Sequence, residues 1–169
     1  MLVIVAASIG AQVSQEYAVK AEVLYNFLLF VEWPDSAFPT QGTPIRICVA
    51  GDDPFGAALD TAMAGRQVKG RAITVARTVN LDAVGCHLLF VSRSQTEHIA
   101  QILQSLKGSV LTVGDTGESV RRGAMIGLFN DRNRLRFEIN PAAATATGIR
   151  ISSRLLNLAR LAPANSSGG

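Results

Sequence analysis

The sequence predicts an α/β domain: a three-layer sandwich in which a mixed, mostly parallel sheet is flanked by helices and carries an antiparallel hairpin at one edge. Three observations predict it. Strand-like and helix-like segments alternate from residue 45 to residue 113, the order that builds parallel sheets. Cys86-His87-Leu88-Leu89-Phe90-Val91 is a continuous apolar run, as in a central strand covered on both faces. Two further strand patterns, 124–129 and 135–139, flank the polar stretch Asn130-Asp131-Arg132-Asn133-Arg134, which reads as a hairpin.

Each element follows from local chemistry. Met1 to Ile9 is apolar and ends in Ile9-Gly10-Ala11. This resembles the end of a signal peptide cut after Ala11, although no Lys or Arg precedes Lys20 to form a basic start. The alternative is a first buried strand. The stretch Tyr25 to Pro34, YNFLLFVEWP, is too short to span a bilayer, which takes about 20 apolar residues. Ala21, Leu24, Leu28 and Val31 recur at helical spacing and form one core-facing stripe, with Phe27 and Phe30 off it. Trp33-Pro34 is the expected helix end, because the residue before proline avoids helical backbone.

Ile45 to Ala50 reads as a strand, followed by a helix over 54–64 with Asp53 as N-cap, Pro54 in the first turn and Gly65 as C-cap. Short strands are expected at 67–69 and 72–77, the second with Ile73 and Val75 facing one way. After the strand at 86–91, Ser94 or Thr96 is expected to cap a helix over about 96–106 that buries Ile99, Ile102, Leu103 and Leu106. A strand at 109–113 leads into Gly114-Asp115-Thr116-Gly117-Glu118, where Asp115 and Glu118 have the spacing of a capping box for a short helix ending at Arg121-Arg122. In the hairpin, Leu135, Phe137 and Ile139 point inward, and Arg134, Arg136 and Glu138 outward. Asn140-Pro141 opens a last helix carrying Ile151, Leu155 and Leu158. The organisation is a leader over residues 1–11, one domain over 15–162, and a polar tail over 163–169.

Composition limits the function. The chain has 169 residues, 48% apolar and 17% charged, with a net charge of +3. It is one globular domain rather than a disordered chain. The mild positive charge is spread along the chain, which argues against nucleic-acid binding. An exported chain with an even cysteine count favours a disulfide. The alternative for Cys48 and Cys86 is two buried free thiols. Adjacent Cys86 and His87 point to opposite faces of a strand, and no Cys or His pair, His98 included, has zinc-site spacing. No metal or other cofactor is expected. The same geometry excludes a Cys-His nucleophile pair, and no Ser-His-Asp pattern or acidic pair stands out, so the chain is not read as an enzyme.

Two loops, VAGDDPFG and TVGDTGES, leave the ends of predicted parallel strands, where ligands bind in open α/β sheets. The bland reading is helix capping. The sharper one is a small-ligand pocket lined by Asp52, Asp53, Asp115 and Thr116. Arg121, Arg122, Arg132, Arg134 and Arg136 gather around the hairpin, either as a solvated edge or as a basic face for an acidic partner.

The segments VKAEVLYNFLLFVEWP, ICVAGDDPFG, GRAITVAR, CHLLFVSRS, SVLTVGDTGES, GAMIGLF, LRFEINPAA and ISSRLLNLAR, in this order over about residues 17–160, resemble the YfiR-like family of exported bacterial proteins. The resemblance implies a periplasmic protein that binds and restrains the periplasmic part of an inner-membrane diguanylate cyclase, lowering cyclic di-GMP and biofilm formation. It implies relief by an outer-membrane lipoprotein, a homodimer, and no catalytic residues. It supports a Cys48–Cys86 bridge, and the second, later cysteine pair of some members is absent. It makes Tyr25, Phe27, Phe30 and Trp33 candidate interface anchors. The alternative function is a periplasmic small-ligand module feeding a sensor or transporter. A small effector acting on the inhibitor would join the two.

Overall fold

A computed structural model describes residues 5–78 and 85–163. Residues 1–4 of the expected leader and 164–169 of the expected tail lie outside the described residues. In chain order, the elements are α1 (Val5–Phe30), β1 (Val31–Glu32), β2 (Ile45–Ala50), α2 (Ala58–Met63), β3 (Gln67–Val68), β4 (Arg71–Thr78), β5 (Leu88–Val91), α3 (Ile99–Ser105), β6 (Leu111–Gly114), β7 (Ile126–Asp131), β8 (Arg134–Ile139), α4 (Pro141–Ala146), β9 (Arg150–Ile151), α5 (Ser153–Leu158) and β10 (Arg160–Leu161). Eight strands form one sheet in the order β10-β8-β7-β6-β5-β2-β4-β3. The pairs β4–β2, β2–β5, β5–β6 and β6–β7 are parallel, and β7–β8 and β3–β4 antiparallel. A separate antiparallel pair joins β1 to β9. The mixed, mostly parallel sheet is the one expected from the sequence.

Alternation along the central strands makes the layers. Ile47, Val49, Leu88, Phe90, Leu111 and Val113 belong to a large core shared with α1, α2 and α5. Their neighbours Cys48, Ala50, Leu89 and Val91 belong to a smaller core with Ile99 and Ile102 of α3. Successive side chains of a strand point to opposite faces, so β5 is apolar throughout and β2 is apolar from Ile47 to Ala50. The sequence reading of 86–91 as a central strand holds, with pairing confined to 88–91. Cys48 and Cys86 form a disulfide with Cα atoms 5.9 Å apart.

Several local expectations are corrected. The first helix stops at Phe30, because Val31 and Glu32 pair with Ile151 and Arg150. The apolar N-terminal run is helical from Val5 onward rather than a strand, and Ile9 and Val13 are exposed. Asp53 caps no helix: its Oδ1 accepts from the Phe55 amide two residues on, and α2 begins only at Ala58. Gly65, with φ of +68°, does follow that helix end. The helix expected at 96–106 opens as a 3-10 segment, Arg93–His98, and neither Ser94 nor Thr96 caps it. No helix forms over 115–122, which is a run of turns. The hairpin loop is only Arg132-Asn133, both at positive φ (+50° and +62°), so β7 and β8 extend through the polar residues around it. Glu138, expected outside, is buried because β10 pairs with β8 and brings Arg160 onto its carboxylate. The last helix is two. Asn140 caps α4 as expected, its side chain accepting from the Ala143 amide, but Gly148 at φ +80° turns the chain into β9. Its Cα faces Pro34, which a Cβ would meet at 3.5 Å.

Candidate functional site

α1 runs the length of the sheet and meets both of its ends. At the carboxyl ends of the parallel strands, where the sequence places a ligand pocket, α1 fills the space. Tyr17 donates to Asp115 Oδ2 at 2.6 Å, and Lys20 donates to Asp115 Oδ1 at 2.7 Å and also pairs with Glu16. Lys20 and Asp115 are each 1% exposed. Arg93 reaches the Glu16 carboxylate at 2.9 Å and the Asp115 carbonyl oxygen at 3.2 Å. Burial tends to raise the Glu16 carboxyl, but hydrogen bonding to Lys20, the charges of Lys20 and Arg93, and Asn130 outweigh it and hold it below the usual carboxylate range. Burial, then the hydrogen bond and charge of Asp115, push the Tyr17 phenol well above its ordinary value.

The four residues expected to line that pocket therefore do not share one. Asp115 is committed to Tyr17 and Lys20. Asp53 pairs with Arg77, which also holds Asp60. Asp52 is exposed, its amide donating to Ser94 Oγ at 3.0 Å. Thr116 shares the Ser119 hydroxyl at 3.1 Å. The first loop packs instead on the segment that follows β5: a Cβ on Gly51 would sit 2.5 Å from Ser92 Oγ.

The open site lies at the opposite end, by the amino termini of the strands. Two adjoining hollows, of about 300 and 470 Å³, share Glu32, Lys69 and Arg150. Val31, Trp33, Phe38, Ile45 and Val68 wall the first, with Arg71 at its side. Leu29, Phe30, Ile151 and Arg154 wall the second. Glu32 stands between them, 3.1 Å from Lys69 Nζ and 2.6 Å from an Arg150 Nη. The hydrogen bond and charge of Lys69, then Arg150, hold its carboxyl below the usual range.

A cluster of hydrogen bonds and stacked rings underlies the first hollow. The Trp33 indole N–H donates to the His87 carbonyl at 2.9 Å. His87 Nδ1 accepts from the Arg46 amide at 3.0 Å, and its Nε2 is 2.9 Å from the Ala37 carbonyl. Those two partners want one acceptor and one donor, which is the neutral imidazole. Burial lowers the His87 pKa, and the charges of Arg71 and Arg46 add to it, against the opposing pull of the Ala37 carbonyl. Phe38 stacks on the imidazole at 4.6 Å, and the Arg71 guanidinium lies 3.9 Å over the other side of Phe38 while donating to the carbonyls of Thr40, Gln41 and Thr43.

The four aromatic candidates part company here. Phe27 is 1% exposed and packs edge-on against Phe137 in the core, so it presents nothing to a partner. Tyr25 is half-buried under the Arg66 guanidinium, 4.4 Å away. Trp33 and Phe30 line the two hollows. Leu29 is 43% exposed beside Phe30, and an aliphatic residue inside an apolar run carries no sequence signal that sets it apart from core. Lys69, Arg150 and Arg154 had no local signal, since only β3 and β9 folding toward Glu32 brings them together.

The hairpin arginines do not form one uncompensated face. Arg121 pairs with Glu118, and Arg122 with Glu97 and Glu118, while Arg134 and Arg136 are exposed without an ion pair among the described residues. Among the described residues no group of three or more His, Cys, Asp or Glu could hold a metal ion, and no helix is long and apolar enough to cross a membrane. A protein-family model described as YfiR/HmsC-like matches residues 17–160.

Proposed function

The chain belongs to the YfiR/HmsC-like family, and on that premise we propose that it is a periplasmic regulatory protein without catalytic activity. In this reading it binds the periplasmic part of an inner-membrane diguanylate cyclase and restrains it, lowering cyclic di-GMP and biofilm formation. An outer-membrane lipoprotein relieves the restraint by sequestering the inhibitor, the inhibitor acts as a homodimer, and residues 1–11 are removed on export. The observation that carries the interaction role is the groove at the end of α1. It joins the aromatic walls of Trp33 and Phe30 to an exposed Leu29 and to the arginines Arg71, Arg150 and Arg154, and aromatic residues and arginine are enriched at protein interfaces. The disulfide accords with an oxidising compartment. The small-ligand alternative at the two Gly-Asp loops has less support, because Tyr17 and Lys20 occupy that crevice.

Cellular cyclic di-GMP tests the reading. Deleting the gene is expected to raise it. An exported copy restores the low level, and a copy lacking residues 1–11 does not. A copy carrying Leu29→Glu is expected to fold normally and fail to restore. An unchanged level on deletion would sink cyclase restraint.

A further inference from the structure

The groove has a polarity along its length that specifies what lies in it. Its first hollow is apolar at the floor, with Trp33 and Phe38 held in place by His87. Its second has Leu29, Phe30 and Ile151 beneath a cationic rim. Around both stand Lys69, Arg71, Arg150 and Arg154 against two carboxylates, Glu32 and the rim residue Asp35. The Lys69 and Arg150 side chains are 62% and 82% exposed and share the single carboxylate of Glu32. Arg154 is exposed and makes no ion pair among the described residues. The cationic excess is thus concentrated at the second hollow.

From this charge complementarity and the continuity of the two hollows we propose that the groove receives an acidic, amphipathic segment of a partner protein. One apolar side chain of the segment enters the hollow at Trp33 and Phe38, and carboxylates meet Lys69, Arg150 and Arg154. The segment's carboxylates take over the role Glu32 plays in the free protein, so binding exchanges an internal ion pair for an external one. The two hollows adjoin and share Glu32, Lys69 and Arg150, so one continuous segment can engage both. The inference rests on the reading of the chain as an interaction protein and adds the chemistry of the partner.

Fluorescence anisotropy with the full chain tests it, using labelled twelve-residue peptides (about 40 Å long when extended) of alternating glutamate and leucine, glutamine and leucine, or lysine and leucine. The glutamate peptide is expected to bind, the other two at least about tenfold more weakly, and about 0.5 M salt to weaken binding because exposed charges are screened. Arg154→Glu and Lys69→Glu are each expected to weaken it by about tenfold or more, with unchanged circular dichroism. Arg121→Glu, outside the groove, is expected to change nothing. Failure of the glutamate peptide to bind, indifference to peptide charge, or a larger effect of Arg121→Glu overturns the proposal. So does a Glu-Leu dipeptide that competes as well as the full peptide, which marks a small-molecule site. A dimer that Arg154→Glu converts to monomer also overturns it, because the occupant is then a second copy. Cyclic di-GMP separates this inference from the one beneath it: wild-type restraint that survives both charge reversals sinks the groove's role alone, whereas no restraint by the wild type sinks the cyclase reading.

Discussion

Two buried polar side chains set the residue-scale behaviour. Lys20 and Asp115 are an ion pair out of solvent, each 1% exposed, and removing Lys20 leaves the buried Asp115 charge with only Tyr17 and, at 3.4 Å, Arg93. Lys20→Met is therefore expected to lower unfolding free energy by about 3–5 kcal/mol, read by urea titration, and Lys20→Met/Asp115→Leu to recover much of that loss. Equal instability of the double variant would show that packing rather than charge dominates. His87 gives the pH dependence. Its folded pKa lies below the unfolded value of about 6.5, so the unfolded chain binds more protons as acid is added. The stability that the neutral ring contributes is present above pH of about 6.5 and is lost as pH falls through the folded pKa. Between pH 7.5 and 5 the wild type is expected to lose stability more steeply than His87→Gln. Parallel slopes would exclude His87 as the titrating group. Neither role was legible in sequence. Asp115 reads locally as a helix cap, and its partners lie 98 and 95 residues away. His87 reads as one more residue of an apolar run.

At the scale of elements, the main strands are legible in the sequence, whereas the two-residue strands β1, β9 and β10 and the helix boundaries are not. β2, β4 and β5 follow from β-branched and apolar runs that tertiary pairing only trims. The helices at 54–64, 96–106 and 115–122 were inferred from caps, and Asp or Ser side chains satisfy turns as readily as helix ends. Asp53 does so at Phe55. Where the cap is real it has a cost when removed: Asn140→Ala is expected to destabilise by about 1 kcal/mol, visible as a shift in the urea midpoint with unchanged slope. The hairpin carries a correctable cost. Arg132 and Asn133 both occupy left-handed backbone, which favours Asn-Gly in a two-residue hairpin loop. Arg132→Asn/Asn133→Gly is expected to raise stability by roughly 1 kcal/mol, and a lower melting temperature would mean that Arg132 makes a contact of its own.

For the whole molecule, the layers and the sheet were implied by the order of segments, but the location of the site was not. The rule that ligands gather at strand carboxyl ends pointed to Asp52 and Asp115, and α1 occupies that end. The amino-terminal groove needs Glu32, Lys69 and Arg150, which approach only when β1 pairs with β9 and β3 turns back on β4. The disulfide acts at this scale too, closing a loop across 38 residues of sequence separation between β2 and the entry to β5. Reduction is expected to lower unfolding free energy by about 4 kcal/mol in the chain-entropy account, comparing urea curves with and without a strong reductant. A loss well below 1 kcal/mol would show that the two cores hold those strands without it.

α1 is a single rod whose middle and carboxyl end answer to different neighbours. From Tyr17, at its middle, to Phe30, at its carboxyl end, it spans about 20 Å at 1.5 Å per residue, with the Asp115 contacts at the start of that stretch and the groove at its finish. Helices transmit axial displacement with little compression, so the rod behaves as a lever arm. A slip of one residue, about 1.5 Å, would take Tyr17 and Lys20 out of register with Asp115 and carry Leu29 and Phe30 along the groove in the same stroke. Grip at the carboxyl end of the sheet and shape at its amino end are therefore one mechanical variable.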